Sequence, residues 1–352
     1  MFKLENLEIN DSNVLTSNNF ARNSDVVYAE FLPDSEFEIL KNEKDIKSIT
    51  KFNGITLYKS NSFTLKENDV IFCHTLFIDS LFKHLNKINE FSNLKLITSQ
   101  TDIPINKKMF QKKPSCVSKW YSINVDYSHK DLIQIPLGIA KSRNTKNLIL
   151  EDFQDVMTNQ KKENLLFSNF NLNTNYFHRY RLTKRVIDEE WSKVSKPNLT
   201  YTEYMKELRE NKYCLAPWGN GFDTHRIWEA LYAGSIPVTI NHIAFQNLHG
   251  LPIILLDSYD QLIIDNLAEF KFNELKYEML TIGWWLDLIN SGESLPVNKE
   301  ISIIENEDES CKNIKLYYEN LKSLNKRKKI NTLLRKAHKR VLGKRINSYV
   351  SI

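Results

Sequence analysis

Short apolar, β-branched runs punctuate an otherwise polar chain. In the first half they fall at 26–29 (VVYA), 70–73 (VIFC), 95–98 (KLIT) and 132–135 (LIQI). Between two of them, 78–88 places Ile78, Leu81, Phe82, Leu85 and Ile88 at the three-and-four spacing of one helical face. Strands alternating with helices predict an α/β fold with a largely parallel sheet. Cys73-His74-Thr75 and Ser99-Gln100-Thr101-Asp102 follow strand ends, where open α/β sheets bind ligands. The polar stretch 145–163 reads as a link, and a second series follows it. That series runs from a strand at 165–168 through helices near 179–191 and 201–210 to a strand at 213–216. A helix at 224–233 and strands at 236–240 and 253–256 complete it. The pattern predicts two Rossmann-like domains facing a cleft, at 1–150 and 160–305, followed by a helical basic tail at 306–352.

Charge changes the picture at one end only. From residue 321 onward there are eleven Lys/Arg and no Asp or Glu, so the first 320 residues carry a net −6 against the whole chain's +5. Leu and Ile at 321, 324, 330, 333, 334 and 342 among those cations predict a basic amphipathic helix over 321–345. Such a helix suits an anionic membrane surface or RNA, or simply packs on the body as a solvated end. The four cysteines have no paired metal spacing and read as free thiols. The opening MFKLENLEIN lacks a basic region followed by an apolar one, and no run reaches eighteen apolar residues. The expectation is a cytoplasmic protein, peripheral at most at the inner face of a membrane.

Glycine locates the chemistry. The chain has only nine, and three of them, Gly219, Gly221 and Gly234, fall within sixteen consecutive residues. The segment APWGNGFDTHRIWEALYAGSIPV predicts a strand end, a Gly-Asn-Gly loop, a helix capped by Asp223 and a glycine stop at Gly234. Gly219, Asn220 and Gly221 let the backbone approach a ligand, and the helix N-terminus behind them offers free N–H groups to an anion. His225 and Arg226 add charge there, and Arg226 has the planar fork suited to phosphate oxygens. Glu229 lies one turn on, beside sugar or ribose hydroxyls. These parts describe a pocket for a nucleotide sugar. Taken alone, an N-cap Asp and an intrahelical Arg226–Glu229 pair account for the same residues.

Further candidates come from other strand ends. Arg179 and Arg181, in the tract 169–181, are placed to reach a diphosphate. Asp102, or failing it His74, is the candidate base for deprotonating an acceptor hydroxyl. His74 also reads as a satisfied buried histidine, and Asp102 as a turn cap before Pro104. No metal site is expected, since no Asp-x-Asp lies at a strand end and Asp257-Ser-Tyr-Asp260 reads as a cap. A cationic pocket neutralises a leaving diphosphate by the same electrostatics a metal would use. Trp284-Trp285 reads as packing between the domains.

The stretch PWGNGFDTHRIWEALYAGSIPV resembles the donor-site motif of exostosin-like and ribitol-xylosyltransferase-like glycosyltransferases, almost continuously over about 22 residues. Weaker echoes are CHT at 73–75, TSQTD at 98–102, IPLGI at 135–139 and NFNLNTNYFHRYR at 169–181. The resemblance implies a GT-B fold, with acceptor on the N-terminal domain and nucleotide sugar on the C-terminal one. It places Arg226 on the diphosphate and Glu229 in the donor pocket. The stretch is also similar to the α1,3-fucosyltransferase motif. There Arg226 replaces the phosphate-binding Lys but His225 replaces a Glu, which argues against GDP-fucose and leaves the donor base open. The function expected is transfer of a hexosyl or pentosyl group from a nucleoside-diphosphate sugar to a glycan or lipid-linked acceptor, without cofactor or metal. A fucosyltransferase-type enzyme is the rival. A nucleic-acid-binding protein acting through the tail is a rival of another class, and it leaves the loop at 217–226 unexplained.

Overall fold

In a computed structural model describing residues 2–4, 6–143, 147–154, 162–272, 274–292, 294–305 and 311–316, the early apolar runs supply four strands of a seven-stranded sheet. Its order is Leu132–Gln134, Val117–Ser122, Leu94–Ser99, Val70–His74, Val26–Pro33, Ile55–Ser60 and Ile46–Phe52. The first five strands are parallel. The last two join antiparallel, as a hairpin turned at Asn53 and Gly54, both with positive φ. The helix expected at 78–88 is Ile78–Leu85, and it buries Ile78, Leu81, Phe82 and Leu85 as its spacing requires.

The second series forms a five-stranded, wholly parallel sheet. Its order is Ser192–Val194, Glu163–Ser168, Asn211–Leu215, Ile236–Ile240 and Ile254–Leu256. The architecture is therefore mixed α/β with a large parallel sheet. The helix expected near 179–191 begins earlier, at Tyr176, and ends at Val186. Tyr201–Glu210 keeps its expected bounds, because Thr200 and Glu203 form a reciprocal capping box at its start.

One apolar core joins the two halves. Phe72, Tyr121 and Ile135 from the first sheet side share it with Phe167, Cys214 and Trp228 from the second. Trp285, fully buried on the helix Ile282–Asn290, belongs to the same core and donates its Nε1–H to the Met279 carbonyl at 2.8 Å. The chain then returns to the first half, where Glu300–Ile304 pairs antiparallel with Ser62–Lys66. Glu305 there accepts from Lys59 Nζ at 2.9 Å and meets His84 Nε2 at 2.8 Å. This strand was expected within 160–305, yet its partners belong to 1–150. The basic stretch 321–345 lies outside the described residues, as do residues 145–146 and 155–161 of the expected link.

Candidate active site

The strand Asn211–Leu215 runs into the loop 216–224 and then the helix His225–Tyr232. Three groups hold that loop. From the second half, Arg179 on the helix Tyr176–Val186 donates Nη2 to the Pro217 carbonyl at 3.1 Å and Nε to that of Trp218 at 3.0 Å. Its Nη1 donates to the Asn171 carbonyl at 2.9 Å. From the first half, Asn124 Oδ1 accepts both Phe222 N–H at 2.9 Å and Asp223 N–H at 3.0 Å, while its Nδ2 donates to the Thr101 carbonyl at 3.3 Å. Asn124 is buried and left-handed (φ 53), a conformation asparagine tolerates better than most residues.

The third group is Asp223, and here the sequence expectation is corrected. Thr224, not Asp223, occupies the N-cap position, and no side chain caps the helix. Asp223 is buried, with Oδ2 accepting from the Leu137 N–H at 2.8 Å and Oδ1 from Trp228 Nε1 at 2.8 Å. Its carboxylate ties the site helix to the 135–139 segment of the first half. Burial pushes its pKa up to about 7 against the bonds that favour the charged form. Gly221 is also required by the protein itself: a Cβ there would lie 2.7 Å from Asn124 Nδ2. Gly219 meets no such obstacle; its nearest neighbour would be Arg179 Nη2 at 3.4 Å. Gly234 has φ +72 just past the last helical turn, the conformation a C-terminal glycine supplies.

With no capping oxygen, the first-turn N–H groups stand at the wall of a cavity of about 630 Å³ lined from both halves of the chain. Arg226 lines it, and its Nε is buried without a partner among the described residues. Arg179 is almost fully buried, and burial followed by repulsion from Arg226 lowers its pKa to about 9. Two neighbouring guanidiniums at a helix N-terminus leave positive charge that the protein only partly balances. The balancing group is Glu229, whose Oε1 accepts from the Leu148 N–H at 2.9 Å and Oε2 from the Tyr204 hydroxyl at 3.0 Å. Tyr204 in turn accepts from Arg226. His225 places Nδ1 2.8 Å from the Gly138 carbonyl. A carbonyl only accepts, so Nδ1 donates in this contact.

The remaining candidates divide. Asp102 is exposed, lines the cavity, and accepts from Asn220 Nδ2 of the glycine loop at 3.2 Å. His74 is fully enclosed, edge-on to Phe31 and Phe77, and burial lowers its pKa to about 3; it does not line the cavity. Arg181 is exposed on the far side of its helix and does not line the cavity either. Asn124 and Tyr204 escaped the sequence reading, since neither lies in a local motif. Among the described residues no group of three His, Cys, Asp or Glu could hold a metal, and no helix is long and apolar enough to cross a membrane.

The loop, its helix and the Asp102 wall all lie within one matched stretch: residues 90–259 match the family model of the exostosin GT47 domain. The stretch is an exostosin-like glycosyltransferase domain. It takes in the last three strands of the first sheet's parallel run and the whole second sheet. Asn124, Asp223, Arg226 and Glu229 all belong to the exostosin-like domain, whereas Asn18 and Phe31, which also line the cavity, precede it. No curated protein matches the chain.

Proposed function

We propose that this glycosyltransferase has a GT-B arrangement and moves a sugar from a nucleoside diphosphate to a hydroxyl of a glycan or lipid-linked glycan. The observation that carries the reading is the incompletely balanced Arg226–Arg179 pair at an uncapped helix N-terminus, opening on a cavity with Asp102 across it. In this reading the diphosphate lies against the first-turn N–H groups and Arg226. Gly219 and Asn220 let it approach, and His225 and Glu229 border the sugar. Arg179 acts from behind by fixing the loop. In an inverting transfer the acceptor oxygen attacks the anomeric carbon and Asp102 takes the hydroxyl proton. The bond to the diphosphate breaks, and the nucleoside diphosphate leaves with its new charge met by Arg226 and the helix end. The cation set does this without a metal, so chelation leaves turnover unchanged.

The basic stretch 321–345 adds attachment to an anionic membrane surface, which suits a lipid-linked acceptor and a cytoplasmic enzyme peripheral at the inner face. Calorimetry with UDP and GDP tests the donor. UDP binding favours the exostosin-like reading, and GDP binding the fucosyltransferase-type one. Arg226→Ala removes a charged partner worth about 2 kcal/mol. The nucleotide Kd then rises roughly thirtyfold. An unchanged Kd in that variant overturns the site.

A further inference from the structure

We propose that the first-sheet wall of the cavity is a subsite for an uncharged pyranose ring, in which Asn18 Oδ1 accepts a hydrogen bond from one ring hydroxyl. This rests on the glycosyl-transfer reading and goes beyond it, because Asn18 and the groups that orient it precede the matched family stretch.

Asn18 sits in the first turn of the helix Ser17–Arg22, which Thr16 caps by accepting from the Asn19 N–H at 3.0 Å. The residue is 8% exposed and lines the cavity. Its Nδ2 donates to Glu30 Oε1 at 2.7 Å and to the Phe31 carbonyl at 2.8 Å. Two acceptors on one side of the amide settle its orientation, because an oxygen turned there would face lone pairs only. Oδ1 is therefore left on the other side. Among the described residues it has no hydrogen-bond partner, and it is not among the sealed polar atoms, so it opens onto the cavity.

The backing of Asn18 is costly to maintain. Glu30 is fully buried, with Oε2 accepting from the Tyr58 hydroxyl at 2.8 Å and from Arg22. A buried carboxyl is unfavourable unless its bonds are met, and here one of them fixes the amide at the cavity wall. Gln100 does the same for the neighbouring backbone. Left-handed at φ 67, it donates Nε2 to the Phe31 carbonyl at 3.0 Å and accepts the Phe31 N–H at 2.7 Å.

The surface so fixed presents Phe31, Pro33 and Ile55 as apolar contact, with Asn18 Oδ1 and the Asp102 carboxylate among its polar groups. These two are acceptors and favour a ligand rich in hydroxyl donors. Lys141 also lines the cavity, and its charge faces Asp11 at 3.8 Å and Glu36 at 4.0 Å. An apolar face beside a few directed acceptors is the complement of a pyranose, whose C–H face stacks while its hydroxyls donate.

Saturation-transfer NMR on the full chain, with 4-nitrophenyl β-glucoside, galactoside, xyloside and N-acetylglucosaminide, tests this, with UDP and GDP titrated separately. The proposal expects a pyranoside that binds alongside the nucleotide. Asn18→Ala weakens that pyranoside five- to tenfold and leaves nucleotide affinity unchanged. On the wild-type protein, one monodeoxy form of the same pyranoside shows the same loss, which keeps the test independent of how the variant folds. A pyranoside displaced by nucleotide, or bound equally by Asn18→Ala and in every deoxy form, overturns the subsite. Nucleotide binding with no pyranoside binding overturns it while leaving the donor site standing. Failure of both ligands overturns the glycosyl-transfer reading itself.

Discussion

Gly221→Ala separates what the protein needs from what a ligand needs. The added Cβ would lie 2.7 Å from Asn124 Nδ2, 2.8 Å from Oδ1 and 3.0 Å from Cγ. Asn124 has no route of retreat, being 1% exposed and held by Phe222 N–H, Asp223 N–H and the Thr101 carbonyl. Relieving the overlap breaks at least two of these bonds and strands buried donors, at about 1–3 kcal/mol each. A loss of about 3 kcal/mol follows, and a chain of this size shows it as a fall in melting temperature on the order of 4 °C. Gly219→Ala is the control: its Cβ makes only ordinary contacts, at 3.4 Å and beyond, and its φ is not left-handed. That variant keeps its melting temperature and loses nucleotide affinity if the loop approaches a diphosphate. Thermal and urea unfolding of both, with Asn124→Ala and the Gly221→Ala double variant, close the cycle. The second substitution adds little once Asn124 is gone, because the obstacle has gone with it. Equal stability of Gly221→Ala and wild type, or strict additivity in the cycle, refutes the steric argument.

Two further outcomes are expected. Arg179→Lys keeps the charge but not the three-way fork to Asn171, Pro217 and Trp218; it lowers stability by about 2 kcal/mol and weakens nucleotide binding in parallel, both read by thermal shift with and without nucleotide. His74 is held neutral by burial, at about 3 against an ordinary 6.5. Its contribution is therefore complete above pH 6.5 and is lost as pH falls towards 3, about 2 kcal/mol by pH 5. His74→Phe flattens that acid limb in urea titrations at pH 7 and pH 5, and an unchanged limb refutes the assignment.

The sequence made the second sheet easier to read than the first, for a physical reason. Buried parallel strands such as Ile236–Ile240 are continuous apolar runs, bounded here by Gly234-Ser235 and Asn241. The hairpin Ile46–Phe52/Ile55–Ser60 ends on an edge strand that is mostly exposed, so Lys and Ser interrupt the run. Val117–Ser122 is similarly broken by Ser118 and Lys119. The site helix was legible in its period and its glycine stop. Its start was misread because an Asp before a helix is a cap on every local criterion. Nothing local reports that Leu137, 86 residues away, offers an N–H to the same carboxylate. Asn124 was hidden for the same reason: its bonds span 23 to 99 residues and leave no period in the chain.

The partners of this loop also change what its glycines mean. A loop opened by glycine for a ligand alone would be slack when empty and would pay an ordering cost on binding. Here Arg179 grips the carbonyls on one side and Asn124 the N–H groups on the other, while Asp223 fastens the helix that follows. Gly221 is the gap through which Asn124 enters, so the residue that loosens the backbone is the one that lets the first half of the chain clamp it. The same Asn124 amide reaches the carbonyl of Thr101, next to Asp102. One buried side chain thus bridges the glycine loop and the segment that carries the candidate base, and the walls of the candidate site are fixed from both halves of the chain.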